Sequence, residues 1–179
     1  LFRSQMMIAT SVPPHLITYG YSRSIYEEGM VLEKKRWDRS SEMTEIEDLI
    51  SRNILTSLPL YRRETIEEVG GFDERMTARQ EWNLNLRLIA AGYTFRFDNI
   101  LVYDQYHHSG PSRLTNRRLN VGDEINNLNC TLSAVNSCLD EDSLSAFAAY
   151  SWKIGRQFLL NYGNVESAEI MFEYANSIK

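Results

Sequence analysis

Cysteine and histidine are scarce in this sequence, and their scarcity excludes several kinds of site. The chain of 179 residues has two cysteines and three histidines, too few for a disulfide framework or a cysteine-based zinc site. Cys130 and Cys138 lie eight positions apart in what the pattern predicts to be one helix. About two helical turns separate them, so their side chains are too distant for a disulfide. This cysteine usage fits a reducing compartment, and the predicted location is the cytoplasm.

Long apolar runs and a basic excess are also lacking. No apolar run approaches the roughly 20 residues that cross a bilayer, and no signal-peptide pattern is visible. The formal net charge of −5 argues against a general nucleic-acid binder, which needs a basic surface. The length and the 43% of hydrophobic residues suit one globular domain with an appendage. Because the chain begins at Leu1 inside an amphipathic pattern, we expect the natural protein to continue upstream.

Apolar periodicity predicts a mixed α/β first part and an all-helical last part. The predicted elements of the first part are a helix over 1–12 ended by two prolines, a strand and hairpin return over 15–37, a helix opened by the capping box Thr44-x-x-Glu47, a short helix over 63–69, a loop over 71–80, a helix over 81–91, and one or two strands over 93–106. Three apolar stripes after about residue 122 predict three helices. The last two form an antiparallel hairpin around Gly163 and Asn164.

The stretch from Gly70 to Leu88 contains the residues best suited to chemistry. Two glycines and an acidic loop precede Glu81 and Trp82, which stand at the start of a strongly apolar helix. Glu81 is interpreted either as a carboxylate at the positive end of the helix dipole or as a catalytic base. Trp82 is either a core residue or a substrate contact, since an indole can lie against a sugar ring with its N–H still available.

The ordered set of motifs over residues 53–112 resembles the second half of a family 2 glycosyltransferase, which has the GT-A fold. The matching positions are Arg62, Arg63, Val69 to Glu74, Gln80 to Leu88, Gly92, Tyr93, Tyr103, His107, His108 and Ser112. The resemblance extends over residues 1 to about 115 and implies a partial GT-A-like mixed sheet with flanking helices. The predicted division is an acceptor-side half over 1–119 and a C-terminal helical region over 120–179.

The resemblance implies inverting transfer of a sugar from a nucleotide-diphosphate sugar to an acceptor hydroxyl. Such a reaction needs a carboxylate that accepts the hydroxyl proton, and positive charge that stabilises the leaving diphosphate. Glu81 falls on the base of the family's acidic pair. Trp82 falls on the aromatic residue that helps to form the acceptor site, and Gln80 beside it is assigned to substrate binding.

The loop after the last strand is implied to hold the metal and the diphosphate. In the family a histidine near this place completes the shell of a divalent metal, Mg²⁺ or Mn²⁺. Adjacent histidines on an extended loop point in opposite directions, so only one of His107 and His108 could bind, and His108 is the predicted ligand. The other interpretation of this histidine is a plain residue of a surface loop. Arg113 and Arg117 are predicted to close over the diphosphate, with a solvated surface cluster as the other interpretation.

Two departures from the family pattern put this assignment in question. The family commonly has two acids followed by an aromatic residue and Asp, whereas this chain has Gln80-Glu81-Trp82-Asn83. A hydrogen bond from Arg87 to Asn83, one helical turn away, is a structural role for that amide. The resembling segment also has no Asp-x-Asp, so the chain looks like one that starts just past the metal-binding aspartates. We therefore expect the metal only with that missing half, and no turnover by this segment alone.

The alternative hypothesis is a non-catalytic scaffold that docks through the helices over 123–179. The expected partners of the enzyme are a nucleotide-sugar donor and a glycan or lipid-linked acceptor, and no nucleic acid. A homodimer through the apolar C-terminal helices and peripheral association with a membrane, at its inner face, also fit the pattern.

Overall fold

The described residues up to 107 form both helices and strands, and those from 121 on form helices joined by short turns. The computed structural model describes residues 2–26, 29, 31–34, 45–51, 55, 59–107 and 120–178. The elements in chain order are α1 (Phe2–Ser11), β1 (Leu16–Tyr26), β2 (Val31–Lys34), α2 (Ile46–Ser51), β3 (Pro59–Leu60), α3 (Arg63–Glu68), α4 (Gln80–Ala90), β4 (Thr94–His107), α5 (Val121–Val135), a 3₁₀ turn (Asn136–Cys138), α6 (Glu141–Tyr162) and α7 (Val165–Ser177). The predicted mixed α/β class is confirmed.

Strand β1 is the centre of a four-stranded mixed sheet. Strand β4 runs parallel along one edge of β1, from the Leu16–Thr94 pair to the Tyr26–His107 pair. Because a strand has two edges, the antiparallel strands β2 and β3 share the other edge. The predicted hairpin of β1 and β2 is confirmed, and the segment predicted as one or two strands is the single strand β4.

A bulge in β4 lies directly beside Gly20 of β1. Between the pairs Tyr19–Phe97 and Tyr21–Leu101, the single residue Gly20 faces residues 98–100 of β4. A Cβ atom on Gly20 would collide with the Ile100 carbonyl oxygen and lie 2.7 Å from Val102 Cγ2. The bulge therefore requires a residue without a side chain at this position.

Replacing Gly20 with alanine is expected to lower the free energy of unfolding by about 1–3 kcal/mol, the usual cost of overpacking. The backbone carbonyl of Ile100 cannot move aside without shifting β4. This cost must exceed the stabilisation of roughly 0.4–1 kcal/mol that Gly→Ala brings through the unfolded chain. Urea denaturation measures the difference, and unchanged or increased stability would show that β4 does not approach β1 this closely.

One continuous core joins the sheet to the C-terminal helices. Its fully or nearly buried members include Ile17, Tyr19, Leu49, Ile50, Leu55, Trp82, Leu84, Leu86, Leu88, Phe95, Leu128, Phe147, Ile154, Phe158 and Met171. Helix α2 packs on α6, and α4 packs on α5. Residues 120–178 thus share one core with the described part of residues 1–119.

The three C-terminal helices begin at polar caps and follow the predicted stripes. The side chains of Asn120, Asp140 and Asn164 accept N–H bonds at the starts of α5, α6 and α7. Gly163 takes the left-handed conformation, with φ 61°, and ends α6 before the predicted turn into α7. Within the described ranges, no helix is both long and apolar enough to cross a membrane.

The two cysteines do not lie in one helix, so that prediction is wrong. Helix α5 contains Cys130, which is buried, and ends at Val135, whereas Cys138 is exposed in the 3₁₀ turn that follows. The apolar stripe continued past the end of the helix because Leu139 still packs against the core. Both thiols are free.

Candidate functional site

The Glu81 carboxylate is exposed in the first turn of α4. The five residues that follow it, from Trp82 to Leu86, are all buried. Position 81 is therefore the point at which the helix end meets solvent, where the helix dipole favours a negative charge. This placement fits both predicted roles of Glu81, a helix-end acid and an accessible base.

Tyr61 and Asn85 lie beside Glu81, and the sequence patterns did not point to them. The Tyr61 hydroxyl donates a 2.6 Å hydrogen bond to Asn85 Oδ1. Burial raises the pKa of Tyr61, and the negative charge of Glu81 raises it further, against the effect of the Asn85 hydrogen bond. Tyr61 therefore remains a protonated hydrogen-bond donor. The spacing of Asn85, one turn after Glu81, was a signal in the sequence, whereas Tyr61 comes from another element.

Asn85 carries an unused donor next to Glu81. Its side chain is fully buried, and its Nδ2 has no hydrogen-bond partner in the part of the chain that the structure describes. A buried amide N–H without a partner costs free energy.

Arg79 immediately precedes α4 in an unusual backbone conformation. Its φ of 64° is the one positive value among the described residues other than glycine. The Arg79 Nε atom lies 2.8 Å from Glu124 Oε2, and Nη1 donates to the Tyr150 hydroxyl at 2.5 Å. The guanidinium also lies over the Tyr150 ring, 5.4 Å from its centroid. The Arg79 and Glu124 side chains are only 17% and 3% exposed, so this is a buried ion pair.

The charge of Arg79 is maintained despite its burial. Burial acts to lower the pKa of Arg79, but Tyr150 and Glu124 outweigh it, and the pKa is raised. Burial is also the main cause of the raised pKa of Tyr150. Around neutral pH the guanidinium is charged and the phenol is neutral, and the guanidinium N–H donates to the phenol oxygen.

Helix α5 also binds the loop that leads to α4. Thr77 N donates to Asn127 Oδ1 at 3.1 Å, and Asn126 Nδ2 donates to the Arg75 carbonyl at 3.1 Å. The loop is thus held by backbone groups as well as by the side chain of Arg79 at its end.

Arg87 fixes the glycine turn at the other end of the loop. Its guanidinium donates to the carbonyls of Val69 and Gly71, and Nε donates to Asn83 Oδ1 at 2.9 Å. The predicted bond between Arg87 and Asn83 is confirmed. Gly70 and Gly71 have φ of 83° and 75°, which explains the glycine pair structurally.

Trp82 is a core residue, which differs from the predicted acceptor contact. Its side chain is 0% exposed, and the indole N–H donates to the Leu49 carbonyl at 2.9 Å. The ring packs on Phe147 and Tyr150, with centroids 5.5 and 4.9 Å away. The reason is the orientation of α4, whose position 82 faces α6. In this arrangement no surface of the indole is open to a substrate.

Gln80 is half-buried, and its amide is engaged within its own loop. The Gln80 Nε2 atom donates to the Met76 carbonyl at 2.9 Å. This bond closes the last turn before α4. It gives the predicted substrate-binding residue a structural contact next to Glu81.

His107 ends β4 and packs against β1. Its ring stacks on Tyr26, with centroids 4.6 Å apart and an interplanar angle of 13°, and Nε2 lies 3.1 Å from Ser24 Oγ. The predicted site residues His108, Arg113 and Arg117 lie outside the described residues. Across residues that the structure does describe, no three His, Cys, Asp or Glu side chains are grouped to hold a metal ion.

An Asp-x-Asp does occur beyond the resembling segment, formed by Asp140 and Asp142. Asp140 caps α6, because its Oδ1 accepts from Ser143 N at 2.8 Å and from Ser143 Oγ at 2.7 Å. These bonds lower the pKa of Asp140. Asp142 lies in the first turn of the same helix. The pair is accounted for by helix capping.

A comparison of the sequence with models of known protein families found no match, and a comparison with curated proteins found no significant similarity.

Proposed function

We propose that this chain is the acceptor-side half of an inverting glycosyltransferase similar to family 2, with Glu81 as its general base. The observation that carries the proposal is the exposure of the Glu81 carboxylate at the start of α4, in front of five buried residues. An acceptor hydroxyl can reach that carboxylate, and the helix behind it is fixed in the core.

In the proposed reaction Glu81 accepts one proton from the acceptor hydroxyl. The acceptor oxygen forms a bond to the anomeric carbon, the bond from that carbon to the diphosphate breaks, and the nucleotide diphosphate leaves. The acceptor proton passes to the Glu81 carboxylate as the oxygen attacks. A divalent cation in a complete enzyme would stabilise the charge on the leaving diphosphate, and His108 is the residue of this chain assigned to it.

The surroundings of Glu81 support this role. The Tyr61 hydroxyl and the unused Asn85 amide N–H lie on the same side of α4 as the carboxylate. Sugars are recognised through hydrogen bonds to their hydroxyl groups, which both donate and accept. The neutral Tyr61 phenol beside the base is suited to orienting an alcohol, whereas the fully buried Asn85 amide holds the Tyr61 hydroxyl in place.

The direct test is a screen of nucleotide-diphosphate sugars with the complete protein. Release of the nucleotide diphosphate is measured with and without Mg²⁺ or Mn²⁺ for each donor, in the presence of glycan acceptors. We expect release with at least one donor and its loss in Glu81→Gln. Release that is equal in wild type and Glu81→Gln would remove Glu81 from the mechanism.

A second candidate function is association through the helical hairpin of α6 and α7. Its exposed apolar residues include Leu160 and Val165, 68% and 55% exposed. The exposed cations Lys153 and Arg156 lie on α6, and the exposed carboxylates Glu166, Glu169 and Glu173 lie on α7. In a twofold pair, α6 of one copy can face α7 of the other with opposite charges. This observation favours a homodimer.

Replacing Leu160 with aspartate is therefore expected to weaken self-association at least about tenfold, since burial of a leucine is worth about 1.5–3 kcal/mol. Sedimentation equilibrium measures the dissociation constant. Met7→Asp is the control, because Met7 is a similarly exposed apolar residue on α1, 69% exposed. A wild-type chain that stays monomeric, or equal weakening by both variants, would contradict a dimer through this hairpin.

A further inference from the structure

We propose that Arg79 is a positioning residue, through which the C-terminal helices hold Glu81 in place. The inference rests on the proposed function of Glu81. It assigns to α5 and α6 a role inside the catalytic half, in contrast to the docking appendage of the alternative hypothesis.

The backbone at Arg79 is held in a conformation that arginine does not adopt by preference. A residue with a side chain at φ 64° persists only where its surroundings impose that conformation. Here the restraint is the buried pair with Glu124 of α5 and the bond to Tyr150 of α6. The left-handed turn directs the Arg79 side chain into the helices and the next residues into α4.

Tyr150 holds the chain on both sides of Glu81. Its hydroxyl accepts from Arg79, two residues before Glu81, and its ring packs 4.9 Å from that of Trp82, the residue after. Glu81 therefore sits between two anchored neighbours. Its backbone cannot shift unless one of these contacts with α6 changes.

Helix α5 also forms hydrogen bonds to the loop before α4 that do not involve Arg79. The bonds of Asn126 and Asn127 to the backbone at Arg75 and Thr77 fix the segment before Arg79. On α4 itself, Asn83 Nδ2 donates to Thr131 Oγ1 at 3.2 Å. Side chains of α5 thus form hydrogen bonds to the segment from residue 75 to residue 83, on both sides of Glu81.

The buried ion pair of Arg79 and Glu124 is favourable only while both charges are present. A small change at either residue should therefore disturb the loop before α4. Removing one partner of a buried ion pair leaves the other charge without compensation. Removing only the Tyr150 hydroxyl is milder, because the ring and the ion pair remain. These two changes should therefore give a graded series of effects on the position of Glu81.

The test compares Tyr150→Phe and Glu124→Gln with Tyr174→Phe in the complete protein. Tyr174 donates a 2.8 Å hydrogen bond from α7 to Asn129 of α5, so its variant loses the same group away from Glu81. Amide hydrogen exchange is measured over residues 75–83, with β1 as the internal reference for global stability. Sugar transfer is measured as separate kcat and acceptor KM values.

In Tyr150→Phe we expect exchange over 75–83 to be about tenfold faster, the effect of losing one hydrogen bond to a charged group. We expect kcat to fall at least about tenfold with little change in acceptor KM, because a misplaced base slows the chemical step. Glu124→Gln should show both effects more strongly, and Tyr174→Phe should show neither.

Exchange over 75–83 that matches Tyr174→Phe in both variants would overturn the inference, even if Glu81→Gln abolishes transfer. Faster exchange with unchanged kcat would also overturn it, since the anchor would then not position the base. Wild-type transfer by Glu81→Gln would instead overturn the proposed function, while the exchange result would still report whether the anchor exists.

Discussion

Replacing Glu81 with glutamine is expected to lower the rate of sugar transfer by the complete protein about a thousandfold, within the 10²–10⁴ range typical of general-base catalysis. Glutamine keeps the shape and polarity of the side chain but cannot accept the acceptor proton. The loss should appear mainly in kcat, because the Tyr61 hydroxyl beside residue 81 remains to orient the acceptor.

The same substitution should change the free energy of unfolding by less than about 1 kcal/mol, the value of an exposed charge at a helix N-terminus. Glu64→Gln is the matched control, since Glu64 is an exposed glutamate in the first turn of α3. We expect Glu64→Gln to have a similar small effect on stability and none on transfer. Equal loss of transfer in both variants would assign Glu81 to helix stability alone.

Much of the fold could be predicted because its pattern is local. Apolar residues three to four positions apart predict α6 and α7, and Gly163 predicts the turn between them. The structure has both helices at these positions. The β-branched and aromatic residues of β1, and the turn that leads to its hairpin partner β2, are local in the same sense.

The features that could not be predicted depend on contacts between distant residues. Strand β3 is two residues long and exists only because it pairs with Thr18 and Tyr19 of β1. The length of β4 depends on a bulge that is packed against Gly20, 80 positions from Ile100. No periodicity within either segment carries that information.

The candidate site shows the same division. Glu81 could be identified because a carboxylate at the start of an apolar helix is a local signal. Tyr61 could not, since its approach to α4 depends on the path of β3 and α3. Arg79 could not either, because its partners Glu124 and Tyr150 belong to helices that only the folded chain brings to it.

Replacing Trp82 with alanine is expected to lower the free energy of unfolding by about 3–5 kcal/mol, the usual cost of deleting a buried aromatic side chain. The change empties the space between α4 and α6, where the indole packs on Phe147 and Tyr150. It also leaves the Leu49 carbonyl without its donor. Chemical denaturation measures the loss.

Trp152→Ala is the matched control, because Trp152 is 45% exposed and stacks on Phe172 with ring centroids 4.1 Å apart. Its loss should cost about 1 kcal/mol, near the value of one aromatic pair. If the two substitutions cost the same, Trp82 is not the core residue described above.

Trp82→Phe separates the two interpretations of the indole, since it keeps an apolar ring in the core but removes the N–H together with part of the indole. A core role predicts a loss of stability of at least about 1–3 kcal/mol, from the unpaired Leu49 carbonyl and the space left by the smaller ring, with transfer by the folded protein unchanged. An acceptor contact predicts the opposite, a higher acceptor KM with unchanged stability. Because the indole has no exposed surface, we expect the first result. Trp82 then contributes to function indirectly: it packs in the core and fixes helix α4, which carries Glu81.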